Sequence, residues 1–538
     1  MNLSTHANRT EKRPPKPWSK KSPEGPWDAI VIGSGMGGMT SAALLAHLGQ
    51  RVLVLEQHYV PGGFTHTFKR RGYLWDVGVH AVGEVTDHSM PGRLLARLTE
   101  GGLQWAPLGK VYDEFWYPDD FRVDFPDSPQ EFNHNLCEAF PHEAGAIGEY
   151  IQAAREVSGA MKGYYLGRTL PRGLRWLGDG LLARRAQSHL ETRTQDVIQR
   201  LTRDEKLRSV FAAQWGYYGS PPSRSSFAIQ ALVVKHFLHG GYYPVGGSRA
   251  IATQLLGAVA NRQGWTRIGA DVEEILVEGG RAVGVRLTDG EEIRGKKVLS
   301  AVGAMSTCRR LLPEALRGAP WANSITSLRP AAAHVSLYLG FRGDIRRAGA
   351  GAANKWFYET WDPEVEGWNV EPGKPVEKAP ILYCSFPSLK DPTHSNPERH
   401  TGEVVTFVPW ESFERWRGTR WRDRGDDYLE FKQAMEATLL EQFLEHMPDL
   451  APMVDYHELS TPLSTDHFVR PMAGSIYGIE PTPERFRNRW LRPQTPIEGL
   501  FLSGSEITSV GVVGAMMGGV LAVAAAEPMA TMDYLRKL

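Results

Sequence analysis

Three glycines, Gly33, Gly35 and Gly38, stand at GxGxxG spacing in the run Gly33-Ser34-Gly35-Met36-Gly37-Gly38. Each glycine has its own reason. The first permits a tight turn, the second lets backbone approach a pyrophosphate, and the third lets the next helix pack close to the strand. Glu56 follows 18 residues after Gly38. A carboxylate there accepts hydrogen bonds from both hydroxyls of an adenosine ribose. The chemistry these residues suit is the holding of a dinucleotide.

Such a turn works only between a strand and a helix. Ala29-Ile30-Val31-Ile32 is a short apolar run fit for a strand buried on both faces. An Ala- and Leu-rich helix is expected from about Met36 to Leu48, stopped by Gly49, with its positive end toward the phosphates. Arg51 to Leu55 reads as the second strand, which Glu56 ends. Strand, glycines, helix, strand and acid thus occur in the order the chemistry needs, which a chance glycine-rich turn would not explain.

The chain has 538 residues, enough for two to four domains. Lys plus Arg and Asp plus Glu are equal at 61, so no nucleic-acid partner is expected. Three scattered cysteines, Cys137, Cys308 and Cys384, form neither a metal spacing nor a CxxC pair and fit a reducing, cytoplasmic compartment. No metal site is expected. Residues 1–26 are rich in Lys, Arg and Pro and read as a disordered basic tail.

Beyond Glu56, Pro61-Gly62-Gly63 marks a loop that passes close to something, and Tyr73, Trp75, Val77 and Val79 alternate as in a strand, with His66 and His80 flanking the unit. Residues 84–240 lose the strand-helix rhythm. Between Gly163 and Leu190, Leu170, Leu174, Leu177 and Leu181 recur at helical spacing beside Arg and aromatic residues. Pro171, Gly173, Gly178 and Gly180 weaken any continuous helix there, and the mixed pattern fits a solvated cap helix or, second, peripheral contact with a membrane surface. A turn at Pro244, Gly246 and Gly247 leads into a helix, followed by three strand-like runs separated at Gly279-Gly280 and Asp289-Gly290, and an apolar strand from Val298. Val335–Gly340 and Val404–Val408 read as strands, and Tyr428–His446 as a helix. Phe413 to Arg424 pairs Trp with Arg and is expected to be a solvated face or lid. Near the end, Leu500–Leu502 is a short strand, Gly504 and Glu506 a turn, and the uncharged stretch from Ile507 a buried helix rather than a membrane span.

The opening unit together with PGGFTHTF and WDVGVH resembles the superfamily of flavin-dependent carotenoid desaturases, carotenoid isomerases and retinol saturases, whose wider circle includes amine oxidases and Rab GDP-dissociation inhibitors. The two histidines after the double glycine resemble retinol saturases most. The resemblance implies a Rossmann-like α/β FAD-binding domain of the amine-oxidase type, interleaved with an α+β substrate domain. It implies FAD at Gly33, Ser34, Gly35, Gly37 and Gly38, with Gly62 and Gly63 over the flavin side of the pyrophosphate. Val272 would lie beside the adenine through its backbone, Gly504 and Glu506 would complete the FAD site, and Val513 and Gly514 would offer N–H groups to the flavin pyrimidine. Relatives more often carry Asp where this chain has Glu506, which leaves that hydrogen bond open.

The implied segments are 27–83, 241–303 and 471–538 for FAD, and 84–240 and 304–470 for substrate. The implied reaction adds hydrogen across, or removes it from, a C=C bond of a polyene or other isoprenoid lipid. His66, His80 and Tyr477 are the candidates for the proton. The Val298 strand lacks a second phosphate turn, so an external electron donor or acceptor is expected. A desaturase or cis-trans isomerase is the alternative enzyme, and a prenyl-lipid carrier the alternative outside catalysis.

Overall fold

The computed structural model describes residues 16–538. The apolar run after Trp27 forms the strand Ala29–Ile32, buried at every position. It pairs in parallel with Val52–Glu56 on one side and Val298–Ser300 on the other. The full sheet of six parallel strands runs Trp18–Ser19, Trp265–Ile268, Val52–Glu56, Ala29–Ile32, Val298–Ser300, Leu500–Leu502. Val298–Ser300 thus lies between Ala29–Ile32 and Leu500–Leu502, joining the two ends of the chain in one sheet at the glycine turn.

The helix after the glycines spans Met36–His47 and is buried through nearly its whole length. Its cover is the C-terminal helix Gly511–Ala526. Their close approach rests on glycines. A Cβ on Gly519 would come 2.5 Å from the Gly37 carbonyl oxygen, and one on Gly518 2.0 Å from that of Gly504. The uncharged C-terminal stretch is therefore a core helix. At 16 residues it is about 24 Å long, and among the described residues no helix is long and apolar enough to cross a membrane.

Val272–Glu278, Arg281–Leu287 and Glu292–Arg294 form the expected antiparallel sheet, turning at the expected glycines. A larger sheet of seven strands has Ala333–Arg342 and Arg399–Val408 paired over ten residues, with Ile381–Ser385, Asn354–Tyr358, Val111–Tyr117 and Phe121–Pro126 to one side and Val454–Ser460 to the other. Helices Ala144–Thr169 and Phe227–Phe237 pack with it around an aromatic core that includes Trp215, Phe115 and Trp356. The hairpin Thr67–Arg70/Tyr73–Asp76 links the two halves, since Trp75 Nε1 donates to the Leu339 carbonyl at 2.9 Å.

Two expectations are corrected. Residues 1–15 of the tail lie outside the described residues. The rest is built in: Trp18–Ser19 pairs with Trp265–Ile268, and Trp265 Nε1 donates to the Lys21 carbonyl at 3.0 Å. A polar segment needs little apolar content when it adds to an edge already formed. The stripe Leu170–Leu181 is broken, as its proline and glycines imply. The long helix ends at Thr169, before Pro171, and short turns follow. Of the Phe413–Arg424 segment, Phe413 and Trp416 are core residues, while Trp421 lies over His467 with ring centroids 5.3 Å apart.

Candidate active site

One cavity of about 1080 Å³ runs from the glycine turn into the space between the two large sheets. At one end the turn is held by hydrogen bonds spanning 22 and 28 residues. The Glu56 carboxylate accepts from the Ser34 N–H at 3.0 Å, the Ser34 hydroxyl at 2.5 Å and the His58 N–H at 2.8 Å. The Ser34 hydroxyl in turn accepts from Gly62 N–H at 2.9 Å. Glu56 is thereby fixed at the strand end with lone-pair capacity left for a ribose.

Gly35 carries information that neither backbone nor packing explains. Its φ of −66° and ψ of 174° suit any residue, and a Cβ there would meet no protein atom within 4 Å. Open space is likewise found beside Gly504 and Gly511. Gly63, by contrast, sits where a Cβ would come 3.0 Å from the Gly35 Cα. The chain thus keeps a trough between the Gly33–Gly37 turn, Gly63 and the start of the C-terminal helix. That helix supplies N–H groups in its first turn, Val513 among them. Gly514 also lines the trough, and its carbonyl accepts from the Thr508 hydroxyl at 2.7 Å. Gly38 and Gly62 lie behind the lining. Gly38 is required because a Cβ would strike the Gly33 carbonyl oxygen at 2.0 Å. Val272 lines the far end near Glu56 and His58.

Glu506 lines the cavity but is committed in part to protein. Its Oε2 accepts the Met305 N–H at 3.1 Å, and Gly303 and Gly478 leave just enough room for its carboxyl. Burial raises its pKa, against the pull of the Met305 N–H and Arg485. Buried Arg485 holds the turn in place by donating to the carbonyls of Ile479 and Ser505, both at 2.6 Å.

The three proton-handling candidates all line the cavity, and their partners differ. His66 Nδ1 lies 2.6 Å from the Gly63 carbonyl, and burial lowers its pKa to about 4. Its Nδ1 must carry the hydrogen, so its Nε2 is a lone pair, a base. The Tyr477 hydroxyl donates to the Gly216 carbonyl at 3.0 Å. His80 has Nδ1 3.0 Å from Glu403 Oε2.

Behind His80 lies a polar cluster that the sequence pattern did not single out. Asp76, Lys390 and Glu403 are buried together there, with Asp113 adjoining. Lys390 Nζ donates to the His80 carbonyl at 2.8 Å and to Ser385 Oγ at 2.7 Å. The Asp76 carboxylate accepts from Tyr243 and Ser248, and its N–H donates to Glu403 Oε1 at 3.0 Å. Glu403 is the one acid in the strand Arg399–Val408, the only sequence signal it gave. Lys390 gave none. Among the described residues no group of His, Cys, Asp and Glu could hold a metal ion.

A parallel sheet with a glycine turn, a strand-end acid and a second helix over the same trough define a flavin dinucleotide-binding oxidoreductase fold. The solved structure of a putrescine oxidase bound to putrescine has this fold, with a TM-score of 0.60 over 94% of this chain and 99% of that one at 15% identity. The flavin-containing amine oxidoreductase family model matches residues 36–526. The all-trans-retinol 13,14-reductase of Danio rerio is 32% identical over 91% of this chain and 84% of its own length. A chloroplastic prolycopene isomerase of Daucus carota is 25% identical over 92% and 79%. The chain belongs to the flavin-containing amine oxidoreductase family, in the group of the retinol reductases and prolycopene isomerases. It is an FAD-dependent oxidoreductase, and the trough beside Gly35, Gly504 and Gly511 fits that cofactor.

Proposed function

We propose that this chain reduces a C=C bond of an apolar polyene or isoprenoid lipid, as the name of its retinol reductase relative suggests. The observation that carries the reading is the cavity itself. It continues from the FAD trough into an apolar chamber lined by Val79, Val233, Ile381, Val405 and Phe407, with His80 on its wall. Apolar walls of this kind suit a long hydrocarbon and orient it by shape.

FAD, when bound, supplies the two-electron hydride chemistry through its N5. The protein's residues do the rest. Gly33, Ser34, Gly35, Gly37 and Gly63 would cradle the pyrophosphate, Glu56 the ribose, and Val513 and Gly514 the pyrimidine edge. Val272 and His58 would border the adenine. Glu506 would face the ribityl side. Apolar walls exclude water, so that a reduced flavin meets the lipid rather than solvent. The Val298–Ser300 strand is followed by no second phosphate turn, which supports an outside electron donor.

The route in leads past the long helix. Met161 and Tyr165 line the cavity, while Leu166 one residue on is exposed. Leu174, Trp176 and Leu181 are exposed beside it, Trp176 by 72%. We propose that this patch rests on a membrane surface and receives the lipid. Replacing Leu174, Trp176 and Leu181 with Ser should reduce co-sedimentation with liposomes severalfold, and undiminished binding would refute the contact.

The reaction is tested by product mass. The chemically reduced enzyme with all-trans-retinol is expected to yield product with two hydrogens gained. Two hydrogens lost from the oxidised enzyme would indicate a desaturase, unchanged mass an isomerase. No flavin bound at all would turn the reading toward a lipid carrier.

A further inference from the structure

Reduction of a C=C bond needs a proton as well as hydride, and resting on that reading, we propose that Glu403 is the proton source for the reaction, acting through His80. His80 is the residue that touches substrate; Glu403 is a positioning and proton-supplying residue behind it.

The geometry is specific. His80 Nδ1 and Glu403 Oε2 are buried 3.0 Å apart, yet neither makes a hydrogen bond of good alignment in the resting arrangement. Two buried acceptors at that distance would repel; one proton between them turns the contact into a bond. Glu403 is the group that carries it. Burial is the main cause that raises its pKa to about 8, and burial likewise lowers that of His80 to about 3. A protonated Glu403 makes Nδ1 of neutral His80 the acceptor, so the hydrogen of His80 sits on Nε2. With Nδ1 buried, Nε2 is on the side of the ring left to the cavity, where the side chain keeps 14% exposure. His66 has the opposite tautomer and cannot donate from its Nε2.

The charged and titratable groups around the pair complete the device. Asp76 from its hairpin strand, His334 from Ala333–Arg342, Tyr383 from Ile381–Ser385 and Lys390 from the helix Pro387–Lys390 all face it. Lys390 and the Asp76 N–H favour ionisation of Glu403 against its burial, and the Glu403 charge in turn raises the pKa of Asp76. Burial lowers the Lys390 pKa to about 7, with Glu403, Asp113 and Asp76 pulling it back up. The transfer balances. The C=C π bond breaks, one carbon gains the hydride that FAD would supply when bound and reduced, and the other takes the Nε2 proton of His80. Nδ1 takes the proton of Glu403, leaving His80 neutral and the negative charge on Glu403 near Lys390. Water entering after product leaves returns one proton.

The test compares wild type, Glu403→Gln, Glu403→Asp and His80→Gln, all loaded with FAD. Infrared difference spectroscopy of the resting enzyme at pH 7 is expected to show a protonated-carboxyl band that Glu403→Gln lacks. In single turnover with all-trans-retinol, Glu403→Gln should slow reduction about 100-fold, within the usual range for losing an acid, with half-saturation unchanged. Glu403→Asp should recover part of the rate. The wild-type rate should fall as pH rises through about 8, where Glu403 loses its proton, and the Glu403→Gln rate should not. A carboxyl band that persists unaltered in Glu403→Gln overturns the pair, and so does wild-type speed with the wild-type pH profile in that variant. If wild type leaves retinol untouched, it is the substrate reading that fails, and the infrared comparison still decides the pair.

Discussion

Gly35 separates binding from folding. Its backbone angles tolerate a side chain and its neighbourhood contains no protein atom for a Cβ to strike. Gly35→Val should therefore fold, with a stability loss of about 1 kcal/mol or less for a poorer helix start. It should lose FAD affinity by about 100-fold, the equivalent of two charge-assisted hydrogen bonds to the pyrophosphate. Thermal denaturation of the apoprotein and flavin titration read the two effects separately, and unchanged FAD affinity would mean that the trough holds something else. At this scale the sequence spoke clearly where chemistry was local. The Gly33–Gly38 turn and Glu56 stand out because spacing along the chain sets their geometry. Glu403 and Lys390 do not, because they come from a distant strand and a short helix that meet His80 only after folding. A lone acid in Arg399–Val408 is the faint trace that such a residue leaves.

Among the elements, the C-terminal helix Gly511–Ala526 joins stability to cofactor binding. Gly518 packs on Gly504 and Gly519 on Gly37, so the helix cannot carry a Cβ at either place without lifting off the dinucleotide turn. Gly518→Ala is expected to cost about 1–3 kcal/mol as overpacking does, and to weaken FAD with it. Gly257→Ala, in the helix Arg249–Ala260 where a Cβ meets nothing within 4 Å, should instead be neutral or stabilising by up to about 1 kcal/mol. Chemical denaturation of both variants checks the contrast; equal effects would mean that helix propensity, not the packing on the turn, governs Gly518. Strands and helices near the glycine turn follow the sequence pattern to within a residue or two, because each is apolar on both sides and bounded by glycine. In the stripe Leu170–Leu181 proline and glycine outweigh the helical spacing of the leucines, and Leu174 and Leu181 face outward. Trp18–Ser19 was invisible for a different reason: an edge strand of two residues has no period to read.

As a whole molecule, the chain builds one sheet for the dinucleotide and one for the cavity wall, and weaves them together through the hairpin that ends at Asp76. The interleaving was legible only through resemblance, since no periodicity tells that Leu500–Leu502 completes a sheet begun near residue 29. What the architecture produces is a flavin trough opening into an apolar chamber with His80 on its wall and Glu403 behind it. Such an arrangement reduces an unactivated hydrocarbon only if the lipid enters the chamber and takes electrons there. The direct measurement is the flavin spectrum during anaerobic mixing of the dithionite-reduced enzyme, freed of excess reductant, with all-trans-retinol. Return of the oxidised-flavin absorbance in step with a dihydro product is the predicted result. A reduced flavin that stays reduced with retinol and with other polyenes would contradict the account.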